Sequence, residues 1–124
     1  MRLYTKDHTW VLVEGSLARV GISDFAQAEL GDITYVELPS PGLPVTRGEV
    51  ACTVDSLKSS SEIYAPLSGT VVESNVALAN EENCPLVNSD PLGQGWLFVI
   101  EMSDPGELER LLPESAYQRY ISGG

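Results

Sequence analysis

Lysine, cysteine and histidine supply the side chains in this sequence most able to form covalent or acid–base intermediates, and their settings differ sharply. Lys58 lies in Val50-Ala51-Cys52-Thr53-Val54-Asp55-Ser56-Leu57-Lys58-Ser59-Ser60-Ser61-Glu62-Ile63-Tyr64-Ala65-Pro66-Leu67-Ser68-Gly69. That segment reads as a strand, a short polar tip bearing one lysine, and a returning strand that ends in Pro-Leu-Ser-Gly. The chain has seven Lys and Arg in total, so a lysine at a hairpin apex stands apart. An apex amine is solvated and takes no part in the backbone ladder. It therefore suits enzymatic acylation, because a modifying enzyme can enclose the side chain without unfolding its surroundings. A stiff hairpin would also fix the base of an attached arm and leave the arm mobile. Position alone does not decide the matter, since an exposed lysine on a turn is in most proteins a solubilising charge.

The other candidates offer less. Cys52 and Cys84 are far apart, with neither metal-ligand spacing nor a redox Cys-x-x-Cys arrangement. Cys52 sits in an apolar strand pattern and is expected to be a buried, inert thiol, while Cys84 falls in a polar loop and receives no role. His8, the only histidine, has no companion for a metal site and no adjacent serine or cysteine for a catalytic dyad, so a packing role is expected. No phosphate-cradling loop, pair of catalytic acids or nucleophile elbow is present. These observations nominate no catalytic residue and no metal site.

Short β-type runs would have to position the tip. Thr9 to Glu14, Leu17 to Ile22 and Ile33 to Leu38 are rich in β-branched and aromatic residues, and Glu14-Gly15-Ser16 predicts a hairpin turn. Pro39-Ser40-Pro41-Gly42-Leu43-Pro44 breaks the chain, and Arg47-Gly48 marks a further turn. Val50 to Val54, Glu62 to Ala65, Gly69 to Val76 and Trp96 to Met102 read as further strands. Many short strands at near-regular spacing predict a barrel or sandwich. Ser23 is placed to cap a short helix that Gly31 stops. Asp104-Pro105-Gly106-Glu107 combines a cap, a first-turn proline and a capping-box glutamate, predicting a helix over Pro105 to Leu112. A last helix from Glu114 to Ile121 would present Tyr117, Tyr120 and Ile121 for packing, and Ser122-Gly123-Gly124 is expected to fray. Leu78 to Gly95 shows clustered turn residues and no periodicity, and is read as a long loop.

The bulk numbers bound the function. At 124 residues, with 43% hydrophobic and 20% charged residues, the chain fits one globular domain, residues 1–124, with an ordinary core. A formal net charge of −11 argues against nucleic-acid binding, which starts by neutralising phosphates. No apolar run approaches the roughly 18 residues of a membrane span, so no membrane partner is expected. The opening Met1-Arg2-Leu3-Tyr4-Thr5 has neither a secretory apolar stretch nor a transit-peptide pattern. A cytoplasmic monomer is the expectation.

Several motifs are similar to those of glycine-cleavage H proteins. They are Y-T-K-D-H-T-W-V at Tyr4 to Val11, V-G-I-S-D-F-A-Q at Val20 to Gln27, and L-G-D-I-T-Y-V-E-L-P at Leu30 to Pro39. V-D-S-L-K-S-S-S-E-I-Y-A-P-L-S-G at Val54 to Gly69, V-N-S-D-P-L-G-Q-G-W-L at Val87 to Leu97 and S-D-P-G-E-L at Ser103 to Leu108 continue the likeness, in order, over nearly the whole chain.

The resemblance implies a mainly β barrel-sandwich hybrid of the lipoyl-domain type with short helices, two of them at the C-terminus. It also implies lipoate attached covalently to Lys58. Asp55, three positions before the lysine, and Gly69, eleven after it, match features by which the lipoate-attaching enzyme recognises its target; from the residues alone they could equally be a hairpin charge and a turn glycine. The implied role is that of a carrier and cosubstrate. Its arm visits a glycine decarboxylase, then an aminomethyltransferase, and is reoxidised by a dihydrolipoyl dehydrogenase. Two positions depart from the family pattern. Thr9 follows His8 where H-E-W is usual, removing a carboxylate from the cleft that holds the loaded aminomethyl arm. Glu62 replaces an aspartate four positions after the lysine. These changes leave open an H-like paralogue acting in lipoyl relay or another redox partnership. A biotin carrier is disfavoured because its apex lysine usually lies between methionines, where this chain has Leu57 and Ser59. An unmodified interaction module is the remaining alternative.

Overall fold

A computed structural model describes residues 2–123. The chain opens with β1 (Arg2–Tyr4), β2 (Thr9–Glu14) and β3 (Leu17–Ile22), followed by α1 (Asp24–Leu30) and β4 (Ile33–Glu37). Next come β5 (Pro44–Val45), β6 (Val50–Ser56), β7 (Ser60–Tyr64) and β8 (Gly69–Ser74). The remainder holds α2 (Leu86–Ser89), β9 (Phe98–Met102), β10 (Leu112–Pro113) and α3 (Glu114–Ile121). All strand pairs are antiparallel, in two sheets: a seven-stranded one ordered β10-β1-β2-β3-β9-β8-β5 and a three-stranded one ordered β4-β6-β7. This is a mainly β sandwich with short helices, one of the two architectures, barrel or sandwich, that the strand spacing predicts. Neither sheet closes into a barrel.

The core lies between the sheets. Val20, Ile22, Phe98 and Ile100 of the larger sheet form one cluster with Ile33, Val36, Val54 and Ile63 of the smaller. Each strand offers alternate residues inward, so the pleat alone divides core from surface. In β6, Val54 is fully buried, while its neighbours Thr53 and Asp55 are only partly covered. The β2–β3 hairpin turns through Gly15 and Ser16, with Glu14 opposite Leu17 and Gly15 at φ 62°. That left-handed backbone is the conformation a two-residue hairpin asks of glycine.

Three expectations need correction. Leu78 to Gly95 is not a structureless loop. It folds into 3-10 turns at Val76–Ala79 and Glu81–Asn83 and then α2, and it buries Leu78, Cys84 and Val87 in the core. Its outer end is latched by backbone acceptors: the Trp10 indole donates to Pro91 O at 2.9 Å, and Arg2 Nη2 donates to Leu92 O at 3.1 Å. Turn residues mask short helical turns because each is too brief to display a periodicity. Secondly, Pro105–Arg110 is a 3-10 helix, and Leu112–Pro113 is a strand paired with β1. Pro113 pushes Leu112 out of helical backbone, and the buried Leu111 makes the turn. Thirdly, Glu107 does not close a capping box. Its carboxylate accepts from Ser68 N at 2.7 Å and from Ser68 Oγ at 2.9 Å, while Asp104 Oδ1 still caps through Gly106 N. At the C-terminus Ser122 and Gly123 continue in hydrogen-bonded turns; Gly124 lies outside the described residues.

Both cysteines are free and buried. Burial, with the nearby Glu37 carboxylate, pushes the Cys52 thiol up to about 12 from 9.0. Burial also raises Cys84, whose Sγ donates to Leu78 O at 3.4 Å. Cys84 is thus a core residue, not a polar-loop thiol. Neither cysteine should react with iodoacetamide in the native state at neutral pH, and both should react once denaturant is added. Native alkylation of either, followed by mass spectrometry, would contradict this packing. Because the folded Cys52 thiol ionises only at the higher pH, its contribution to stability is complete below pH 9 and is lost as pH rises toward 12.

Candidate functional site

Lys58 stands at the tip of the β6–β7 hairpin. The strands run closer to the apex than their apolar pattern predicts, with Asp55 opposite Ser60, so Leu57, Lys58 and Ser59 form the turn. Serine favours such a tip because its hydroxyl can serve neighbouring backbone groups. Ser56 Oγ accepts from Lys58 N at 3.4 Å and Ser59 N at 3.1 Å, and Ser56 N donates to Ser59 O at 2.8 Å. Leu57 N donates to Asp32 O at 3.0 Å. All three tip amides are therefore satisfied without help from the lysine side chain. Lys58 is exposed, and its methylenes lie over Gly31, Cε being 3.4 Å from where a glycine Cβ would project.

The α1–β4 junction beneath the tip follows from its sequence. Ser23 Oγ accepts from Ala26 N at 3.1 Å and starts α1. Gly31, at φ 81°, ends it with its N–H on Gln27 O at 3.0 Å. That left-handed conformation is one that glycine adopts without strain. Asn88 of α2 binds the same junction: Oδ1 accepts from Ile33 N at 2.9 Å, and Nδ2 donates to Gly31 O at 2.8 Å and to Gln27 Oε1 at 3.0 Å.

Beside the tip opens a cleft of about 520 Å³. Its walls are Lys6 to Thr9, the Ala26, Glu29 and Leu30 face of α1, and β7 from Ser60 to Tyr64. Ile22, Ala26, Leu30 and Ile63 give it an apolar lining, and Asp7, Glu29 and Glu62 bring carboxylates to it. Lys6, Ser60 and Ser61 add further polar groups, so the trough can take a hydrocarbon chain along its apolar residues and a polar end group at its rim. The first wall is held by His8, whose backbone is left-handed at φ 69°. His8 Nδ1 lies 2.9 Å from Tyr117 Oη, which lies 2.7 Å from Ser23 Oγ. The imidazole also packs on Phe25 with ring centroids 4.6 Å apart. Tyr117 in turn stacks on Tyr4 at 4.2 Å. Burial raises the Tyr117 phenol above its usual range, so it stays a hydroxyl able to donate. His8 thus packs where a solitary histidine is expected to pack.

The structure brings some of the nominated residues together and leaves others apart. Thr9 and Glu62 line the same cleft, Thr9 nearly covered at 2% exposure and Glu62 exposed. Asp55 is not in the cleft lining. It projects from β6 and accepts from Ser60 Oγ at 2.6 Å, bracing the base of the tip. Gly69 belongs to the other sheet, opposite Met102 and Val45. A Cβ there would lie 2.0 Å from Glu101 O, so close approach of strands is reason enough for a glycine. Sequence reasoning misses Ser56, Asp32 and Asn88. Ser56 carries a signal, a serine three residues before Ser59 across a tight turn; Asp32 acts through its carbonyl and has none.

Among the described residues no group of three or more His, Cys, Asp or Glu is arranged to hold a metal ion, and no helix is long and apolar enough to cross a membrane.

Comparison with known proteins gives one answer over the same span. The sequence model of the family described as Glycine cleavage H-protein matches residues 2–123. A glycine cleavage system H protein of Thermotoga maritima is 51% identical over 122 residues, covering 98% of this chain and 97% of its own. One from Xanthobacter autotrophicus is 53% identical over 119 residues, covering 95% and 93%. The crystal structure of a glycine cleavage system H protein from Mycobacterium marinum superposes with a TM-score of 0.83 at 34% identity, covering 98% of this chain and 94% of that one. With a single-lysine hairpin beside an acid-edged trough and a likeness that runs end to end, the chain belongs to the glycine cleavage H-protein family.

Proposed function

We propose that this chain is the lipoyl carrier of the glycine cleavage system, one domain over residues 1–124, with lipoate in amide linkage to Lys58 Nζ. The observation that carries the reading is the tip itself, an exposed amine on a turn whose backbone amides are all satisfied by other groups. When bound at Lys58, the dithiolane would supply a disulfide able to accept an aminomethyl group and to cycle by thiol–disulfide exchange with a partner enzyme. The protein positions and shields. Gly31 supports the lysine methylenes, Ile22, Ala26, Leu30 and Ile63 would offer the arm apolar contacts, and the Glu62 and Asp7 carboxylates of the same cleft could pair with a terminal ammonium. Thr9 offers the cleft a hydroxyl in place of a carboxylate, a weaker partner for a cation. Asp55 is read as a recognition residue for the lipoate-attaching enzyme. Gly69 keeps that role as a second reading beside its packing requirement.

The partners on this reading are the glycine decarboxylase, the aminomethyltransferase, the dihydrolipoyl dehydrogenase and the lipoate-attaching enzyme. They are met by a cytoplasmic, monomeric cosubstrate that catalyses nothing itself. Tethering raises the local concentration of the reactive sulfur at each docked site. The test is a reconstituted glycine decarboxylase assay. The lipoylated chain should support glycine-dependent CO2 release, and the unlipoylated chain should not. A chain that is fully lipoylated yet gives no turnover would reject the glycine-cleavage assignment in favour of an H-like paralogue serving lipoyl relay or another redox partner.

A further inference from the structure

We infer that Asn88 is a positioning residue for Lys58, holding the Gly31–Ile33 junction on which the hairpin tip is built. The inference rests on Lys58 being the attachment point.

The junction lacks the support that the elements on either side enjoy. α1 ends at Leu30, and β4 pairs with β6 only from Ile33 onward. Gly31 O and Ile33 N therefore need partners that neither the helix nor the sheet supplies, and a half-buried backbone group left without one is costly. Asn88 supplies both from a single amide, accepting from Ile33 N and donating to Gly31 O and Gln27 Oε1. The residue between them, Asp32, then offers its carbonyl to Leu57 N at 3.0 Å. That is the tip amide next to Lys58, and the only one of the three that does not bond to Ser56. Gly31 itself underlies Lys58 Cε. A continuous path of short contacts thus runs from α2 through the junction to both the backbone and the side chain of the apex.

The path matters because a modifying or partner enzyme meets the tip as a shaped object. If the junction drifts, the tip samples more than one placement and only a fraction is competent to bind. The apparent affinity falls by that fraction, while the chemical step is untouched. A residue that merely stabilised the fold would lower melting temperature without separating KM from kcat.

Asn88→Asp makes the sharpest test. A carboxylate keeps an acceptor for Ile33 N but sets a second oxygen against Gly31 O and Gln27 Oε1, where Nδ2 donated. Gln27→Ala removes only one acceptor and serves as a milder second variant should the first fold poorly. In hydrogen exchange, the Leu57 amide of Asn88→Asp should exchange about tenfold faster, the factor for one lost hydrogen bond. Buried β3 amides such as Val20 should keep their protection. With a lipoate-attaching enzyme acting on the full chain, KM for the carrier should rise about five- to tenfold with kcat nearly unchanged. Gln27→Ala should shift both readouts in the same direction and by less. Unchanged Leu57 protection, or a fall in kcat at constant KM, would overturn the proposal. Failure of the wild-type chain to be acylated at Lys58 would instead reject the attachment site, and Leu57 exchange would still judge the link to Asn88.

Discussion

Lys58→Arg is expected to yield a folded chain that accepts no acyl group at all. The turn is set by Ser56 Oγ, Ser59 O and Asp32 O, all independent of the lysine side chain, so arginine should leave the hairpin intact. As an exposed substitution of like charge it should change stability by no more than about 0.5 kcal/mol. A guanidinium forms no amide with an activated carboxylate under enzymatic conditions, so the loss is complete rather than graded. The sequence makes the experiment clean, because Lys6 is the only other lysine. Lys6 is exposed on the cleft wall, in the Thr5–His8 turn between β1 and β2 that His8 N closes on Thr5 O at 3.2 Å, with Nζ 5.8 Å from the Tyr120 ring centroid, so the variant has to exclude it directly. Intact mass after treatment with a lipoate-attaching enzyme should show one lipoyl increment on the wild-type chain and none on Lys58→Arg. A lipoyl increment retained by the variant would move the attachment to Lys6 or the N-terminus and remove Lys58 as the base of the arm. A biotinyl increment on the wild-type chain would assign the hairpin to the other swinging-arm chemistry.

What is legible in the sequence follows the length scale of each signal. Strands announce themselves by alternation over five or six residues, and β2, β3, β4 and β9 lie where their β-branched runs place them. The limits of α1 can be read because both are local: a serine able to cap and a glycine able to turn left-handed. Lys58 is legible because few cations compete with it for attention and turn-forming serines surround it. The supports of the tip are not. Asn88 acts on residues 55 to 61 positions away, and Asp32 acts through a carbonyl that every residue possesses. The 78–95 segment misleads for a related reason. Its cluster of Asn, Pro, Asp and Gly does mark turns, yet the turns are consecutive and are buried around Leu78, Cys84 and Val87. Burial of short helical turns is decided by what packs on them. Glu107 illustrates the same competition, since a motif that fits a capping box loses its carboxylate to the backbone of Ser68, 39 residues earlier.

Gly69→Ala is expected to cost at least about 3 kcal/mol of folding stability, the upper end for overpacking a rigid site. An added Cβ would lie 2.0 Å from Glu101 O and 2.9 Å from Glu101 C, with Ile100 Cγ2 at 2.8 Å. Two of these atoms are backbone of the neighbouring strand, so no side-chain rotation relieves the contact. Relief requires β8 and β9 to separate where Gly69 faces Met102. That would strain the adjacent Ser103 N to Ser68 O bond of 3.1 Å and the grip of Glu107 on Ser68. For a domain of this size the melting temperature should fall by more than about 10 °C. Gly15→Ala provides the comparison: its left-handed φ of 62° is one that alanine adopts only with modest strain, and nothing lies within 4 Å of the new Cβ. It should cost only about 1 kcal/mol. The pair also separates the two readings of Gly69. If the glycine serves packing alone, Gly69→Ala assayed well below its melting temperature should be acylated at Lys58 at the wild-type rate per folded molecule. A slowed rate in that folded fraction would add recognition by the lipoate-attaching enzyme to its duties, and a melting temperature within about 2 °C of wild type would refute the packing argument.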